Sequence, residues 1–312
     1  MKRAVVAAGA FALGAAGLHG ASVTDALTAQ EKDKRWLLSG SLRNFFDDNM
    51  FNSASATAES SFGVEVKPGI AVNLPLDRTL LTASYDYTMS FFEARDDNKV
   101  DQTHQFKGRL DHKFSERYEL SITENFVVSD EPGVGAGPQN VFRNRADASN
   151  TRNSFGLDAT ILASPTFGWL LGYGQFWQDY VTPDYSSTLD QSTHRANVDA
   201  RWFSGESTLL FSGYLIGHTE YTYGRLLGWE NGQQVYASIK DNSFHRFYLG
   251  AKYKLGSRTD LIGRAGFQYT DYYNQSETAI SPYVDGSVTH KYARSSTVTL
   301  GANVERYAAD VT

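Results

Sequence analysis

The sequence predicts an all-β chain folded as an antiparallel transmembrane β-barrel, with about thirteen strands visible. Three observations carry that prediction. Apolar and polar residues alternate along segment after segment, the two-residue period of a strand with unlike faces. Most of these segments run 10 to 14 residues. That is longer than the roughly 5 or 6 residues usual in globular proteins, and enough for the roughly 9 to 11 that a tilted strand needs to cross a bilayer. The connections alternate between short and long, the asymmetry of outer-membrane barrels.

The chain opens with "MKRAVVAAGAFALGAAGLHGAS". Lys2 and Arg3 precede an apolar run from Ala4 to Leu18. The run is too short for a helix of about 20 membrane-spanning residues and has the form of a secretory signal. Residues 1–21 read as that signal, with cleavage after Ala21 or, alternatively, after Ala29. Residues 22–34 read as a short periplasmic segment and 35–312 as the barrel. The 312 residues include no cysteine, which excludes disulfides, thiolate metal sites and a lipidated N-terminal cysteine. A net charge of -6 argues against a nucleic-acid partner, which needs clustered Lys and Arg. The mean hydropathy of -0.40 suits a barrel, whose strands need only one apolar face.

The segment "SFGVEVKPGIAVNL" shows the period plainly. Phe62, Val64, Val66, Ile70, Val72 and Leu74 alternate with Gly63, Glu65, Lys67, Gly69 and Asn73. Leu81, Ala83, Tyr85, Tyr87, Met89 and Phe91 follow against Thr82, Ser84, Asp86, Thr88 and Ser90. Phe106, Leu110 and Phe114 oppose Lys107, Arg109, Asp111 and Lys113. Ala196, Val198, Ala200 and Trp202 oppose Arg195, Asn197, Asp199 and Arg201. Phe247, Leu249, Ala251 and Tyr253 oppose Tyr248, Gly250, Lys252 and Lys254, and Leu261, Ala265, Phe267 and Tyr269 oppose Arg264, Gly266, Gln268 and Thr270. Val298, Leu300, Ala302 and Val304 close the series. Short turns read "PLDR", "SER", "SPT", "SGES", "GSR" and "ARSS"; the longer loops are 47–60, 93–99, 130–150, 181–192, 222–242 and 274–279.

Aromatic residues gather near both ends of the strands, as in the two interfacial girdles of a membrane barrel. Trp36, Phe114, Tyr118, Phe167, Trp169, Trp202 and Tyr253 adjoin short turns, while Phe46, Tyr87, Phe91, Trp177, Tyr221 and Tyr272 adjoin long loops. Three places strain the pattern. Pro68 cannot donate to a ladder, so a bulge is expected at Pro68–Gly69. Glu124 falls on the apolar side of its strand, which predicts either a bulge or a position above the apolar band. The strand over 209–221 can be read in either register, because Leu209 and Leu210 are adjacent. An odd strand count, with even numbers usual in bacterial barrels, predicts a C-terminally truncated piece of a barrel of 14 to 18 strands; one miscounted strand in a complete chain is the alternative.

Catalytic signatures are sparse. Neither a nucleophile elbow nor a His-x-Ser pattern occurs, no dinucleotide fingerprint or P-loop is present, and no enzyme or cofactor is assigned. The polar face carries both signs: Glu65, Lys67, Asp86, Lys107, Arg109, Asp111, Arg195, Asp199, Arg201, Lys252, Lys254 and Arg264. Facing one another across water, such charges would set selectivity in a pore; packed together, they would fill a closed barrel.

The stretch "FFDDNMF", Phe45 to Phe51, concentrates oxygen ligands that suit calcium. Asp and Asn also end strands, and similar clusters recur at Asp96–Asn98 and Asp241–Asn242, so it reads as the outer boundary of the membrane and no metal is assigned. The same stretch, Phe46, Asp47, Asp48, Asn49, Met50 and Phe51, resembles the start of the β-barrel porin family found with exopolysaccharide synthesis and export genes. The paired strands from Ser61 to Phe91 continue the resemblance. It implies an outer-membrane barrel in a Gram-negative-type cell, in contact with lipid and lipopolysaccharide. It also implies a link to polysaccharide and export machinery, while the strand number, loop asymmetry and mixed-charge polar face predict a porin-like pore or conduit for small solutes or glycans. The alternative is a non-conducting structural or surface-binding barrel whose long loops, 130–150 and 222–242, engage glycans or partners.

Overall fold

A computed structural model describes residues 35–50, 58–130, 149–181, 189–222, 226–230, 233–272, 274, 277–293 and 296–306. Thirteen long strands make one antiparallel sheet in chain order. They are β1 (Trp36–Asp47), β2 (Ser61–Pro75), β3 (Thr79–Phe92), β4 (Val100–Lys113), β5 (Tyr118–Ser129), β6 (Asn150–Ser164), β7 (Phe167–Tyr180), β8 (Gln191–Ser204), β9 (Thr208–Tyr221), β12 (Asn242–Leu255), β13 (Thr259–Tyr272), β14 (Glu277–Ala293) and β15 (Ser296–Val304). A separate hairpin, β10 (Leu226–Glu230) and β11 (Gln233–Tyr236), and a short 3-10 helix (Ala237–Lys240) occupy the stretch between β9 and β12 that was expected to be one long loop, 222–242. Among the described residues β1 and β15 do not pair with each other. The residues 1–34 read as signal and leader lie outside the described residues.

Neighbouring strands join by tight turns at one end of the sheet and long loops at the other. Gly205 and Gly256 supply positive φ in two of the tight turns, at 71° and 66°.

The two faces are inverted relative to a water-soluble sheet. Large apolar side chains stand exposed, Leu249 at 69%, Leu300 at 68% and Ile280 at 76%. Asn73 and Thr82, at 2% each, and Gln268, at 3%, are buried on the opposite face. Apolar surface exposed in continuous stripes over thirteen strands requires a nonaqueous neighbour, because soluble chains rarely expose apolar patches beyond a few hundred Å². The alternation is therefore that of a transmembrane β-barrel, apolar toward lipid and polar within.

The strained places resolve without bulges. β2 keeps one register along β1, with Pro68 opposite Gly40. On the β3 side pairing stops after Val66 and resumes at Gly69 in the same register. An antiparallel residue directs its N–H and C=O to one neighbour, so a missing N–H interrupts a single ladder without shifting the strand. The expected bulge is thus replaced by a gap. Glu124 likewise sits in an unshifted ladder between Gly108 and Phe155. It lies on the apolar face two residues short of Phe126, inside the band, and Asn153 Nδ2 donates to Glu124 Oε1. Strand β9 settles with Leu210 exposed and Phe211 and Leu215 buried on the polar face.

Candidate functional site: the polar wall and its rims

The ladder registers place all twelve charged residues singled out in the sequence on the one polar face. Several are paired. Arg43 Nη2 donates to Glu65 Oε2 at 3.0 Å and Arg109 Nε to Asp111 Oδ2 at 2.6 Å. Lys107 Nζ stands 3.6 Å from Asp86, Arg201 3.9 Å from Asp199, and Arg264 3.8 Å from Asp285. Lys67, Lys252 and Lys254 are exposed on this face, the last two toward the tight turns. Arg195 lies with its guanidinium 5.5 Å from the Phe244 ring centre.

Sequence reasoning missed Arg246, which has the same parity as Lys252 and Lys254. Its guanidinium donates to Gln268 Oε1 at 2.7 Å and stands 3.2 Å from Glu305 and 4.1 Å from the Tyr283 ring centre. It also missed the buried rings Phe211, Phe244 and Tyr283, which share the polar face with these charges and with Tyr248, the one ring the alternation had placed there. Residue type assigns phenyl rings to the apolar side, and only the register of the strands puts these three on the polar one.

A repeated device holds this wall together. A glycine of one strand lies between facing side chains of the two strands beside it, and those side chains meet over it. Gly266 lies between Tyr248 and Tyr283, whose rings approach to 5.9 Å. Gly213 lies between Asp199 and Tyr248, and the Tyr248 hydroxyl donates to Asp199 Oδ1 at 2.5 Å. Gly63 lies between Phe45 and Phe92, with rings edge-on at 5.3 Å. Gly217 underlies the Arg195–Phe244 contact, and Gly250 underlies Arg264 over Phe211 at 5.6 Å. Without a Cβ beneath them, long side chains lie down along the wall instead of standing out from it.

The apolar face has its own repeat. The Tyr85, Tyr173 and Tyr214 hydroxyls hydrogen-bond the Nδ1 of His104, His194 and His245 across neighbouring strands, at 2.8, 2.8 and 2.6 Å. Each pair satisfies two polar groups on a face turned to lipid. These histidines and Trp177 stand a few residues below the long-loop ends of their strands. Trp36, Phe114, Tyr118, Trp169, Trp202 and Tyr253 stand exposed at the tight-turn ends. Tyr221 and Tyr272, expected in the long-loop girdle, are instead buried on the polar face at 5% and 9% exposure.

At the long-loop end, carboxylates close the strands. Asp47 Oδ1 accepts the Asn49 N–H at 3.0 Å, an Asx turn that ends β1. Phe46 is exposed against Phe62, Asp48 is exposed, and Met50 is fully buried; Phe51 lies outside the described residues. Arg95 pins this corner: it is 4% exposed, donates to Asp101 Oδ1 at 2.6 Å and to the Met50 carbonyl at 3.5 Å, and lies 3.8 Å over the Phe92 ring. Asp190 accepts the Tyr180 N–H at 2.7 Å, and Asp241 accepts the Tyr221 N–H at 2.8 Å. Burial pushes the Asp190 carboxyl up to about 6, opposed by that hydrogen bond and reinforced by Asp179. Burial raises Asp241 too, against the Tyr221 N–H.

Fold and wall together define a transmembrane β-barrel with a polar interior. No family model matches the chain, and no curated protein matches it. Among solved structures it is similar to the FrpB iron transporter from Neisseria meningitidis, at 12% identity and a TM-score of 0.46, over 84% of this chain and 44% of that one. It is similar to an outer membrane channel from Pseudomonas putida F1, at 9% identity and a TM-score of 0.42, over 85% of this chain and 94% of that one. It is also similar to the NanC porin, at 10% identity and a TM-score of 0.37, over 82% of this chain and all of that one, 100%. The chain thus spans less than half the length of the iron transporter.

Proposed function

We propose that this chain forms a porin-like pore or conduit in the outer membrane of a Gram-negative-type cell, carrying small solutes or glycans through a polar lumen. It reaches that membrane through the signal of residues 1–21. The observation that carries the reading is the inverted sheet, with apolar side chains exposed on one face and paired, half-buried charges of both signs on the other. The bridging glycines support it, because they keep Arg, Tyr and Phe side chains against the wall. No catalytic constellation enters this reading. A link to exopolysaccharide export rests on the resemblance of Phe46–Phe51 and of the paired strands from Ser61 to Phe91; deletion of the gene would then lower surface polysaccharide.

Purified full-length protein in planar bilayers is expected to conduct in discrete steps. A tight seal under all conditions would favour the second reading, a structural or surface-binding barrel with a filled interior. One observation favours that reading: Arg246 of β12 reaches Glu305, beyond the end of β15, at 3.2 Å. Contacts spanning several strands are what a packed interior contains.

A further inference from the structure

The two rims of the sheet carry opposite exposed charge. At the tight-turn end, Arg35, Arg78, Arg117, Lys254, Arg258 and Lys291 are exposed. The exposed acids there, among the described residues, are Asp77, Glu116 and Glu206. At the long-loop end the balance reverses. Asp48, Glu93, Asp96, Asp97, Glu220 and Glu277 are exposed, and the exposed cations among the described residues are Lys99 and Arg306. The polar wall between the rims holds its charges largely in pairs.

We infer that the barrel is a bipolar pore, basic at the tight-turn mouth and acidic at the long-loop mouth, which passes current preferentially in one direction and admits anionic solutes most readily from the tight-turn side. This rests on the pore reading. A charged mouth concentrates its counterions: the acidic mouth fills with cations and the basic mouth with anions. When the long-loop side is positive, cations enter through the acidic mouth and anions through the basic one, so both carriers accumulate and conductance is high. With the opposite polarity each mouth repels the carrier offered to it, and the lumen is depleted. A solute bearing several carboxylates or phosphates meets attraction at the tight-turn rim and repulsion at the other. The effect reaches about 10 Å into solution at 0.1 M salt and about 3 Å at 1 M, so it fades as salt rises.

The test uses the full-length chain in planar bilayers of phosphatidylcholine, whose zwitterionic headgroups add no net charge. The chain has no cysteine, so Ser207→Cys in a tight turn can be biotinylated, and streptavidin added to one chamber fixes the orientation. The expected result is a larger current with the long-loop side positive, by about twofold or more at 0.1 M salt and near equality at 1 M. Citrate is expected to block more strongly from the tight-turn chamber than from the other. The variant Asp48→Asn/Asp96→Asn/Asp97→Asn/Glu277→Gln alters exposed rim residues only and is expected to lose most of the asymmetry. A conducting channel with equal currents at both polarities, or with the larger current at the opposite polarity, overturns this inference and leaves the pore reading standing. A tight seal overturns both.

Discussion

A single carboxyl shows how burial at a loop end becomes a dependence on pH. Asp190 is 3% exposed and its carboxyl is raised to about 6 by burial. Its folded value lies above the unfolded value of 3.8, so the folded protein binds the extra proton between the two. The stabilisation is fully present below about pH 4 and is lost as pH rises through about 6, a difference of roughly 3 kcal/mol at about 1.4 kcal/mol per unit. The unfolding midpoint should therefore fall between pH 4 and 7. Asp190→Asn keeps an oxygen to accept the Tyr180 N–H and has no proton to lose. It is expected to flatten that slope and raise the midpoint at pH 7, measured by urea unfolding followed through tryptophan fluorescence. An unchanged slope in the variant would assign the pH dependence to other groups. The motif Phe46–Asn49 teaches the same lesson about residue type. Its clustered oxygens suggest a metal, yet the structure gives Asp47 to the Asn49 N–H and leaves Asp48 in water.

At the scale of the strand, the two-residue period made the long elements readable, because each must keep one face in lipid and the other away from it. The bridging glycines were not readable, since their role depends on the register of three strands at once. Gly266 matters only because Tyr248 and Tyr283 face it from either side. A methyl group on Gly266 would lie 1.9 Å from the Phe247 carbonyl oxygen, a backbone atom that cannot swing aside. On Gly263, three residues earlier on the apolar face, a methyl group would meet nothing within 4 Å. Gly266→Ala should therefore destabilise the barrel by about 1–3 kcal/mol or more, the cost of overpacking, whereas Gly263→Ala should be neutral or slightly stabilising. Urea midpoints of the two variants in one detergent would separate them, and equal midpoints would contradict the close approach of β12 and β13. Tyr272 shows a different limit. Its place near a strand end suggested a girdle, but its parity with Arg264 and Gln268 assigns it to the polar face. Distance along a strand gives height in the membrane, and parity gives the face; both are needed.

At the scale of the whole molecule, four strands, β5, β7, β8 and β12, share one separation between the two girdles, which sets the thickness of membrane the barrel fits. Eight positions separate Tyr118 from Phe126 on β5, Trp169 from Trp177 on β7, His194 from Trp202 on β8, and His245 from Tyr253 on β12. At about 3.4 Å per residue and a tilt of about 35–45°, that is roughly 20 Å between girdle backbones, close to the apolar band of about 25 Å of outer-membrane barrels once the rings are included. An ordinary bilayer core is about 30 Å thick, and the outer membrane is thinner than average. Mismatch costs a fraction of a kcal/mol per Å, which over thirteen strands would bias folding toward thin bilayers. From urea, the chain is therefore expected to fold fastest and most completely in vesicles of lipids with ten- to twelve-carbon chains, and slowly in those with eighteen. Protease protection of the strands and retention of the compact form on unheated gels report the folded fraction. Equal folding in both vesicle types would break the link between girdle spacing and membrane thickness. A folded, dispersed monomer in buffer without any amphiphile would contradict the assignment of the exposed apolar face to lipid.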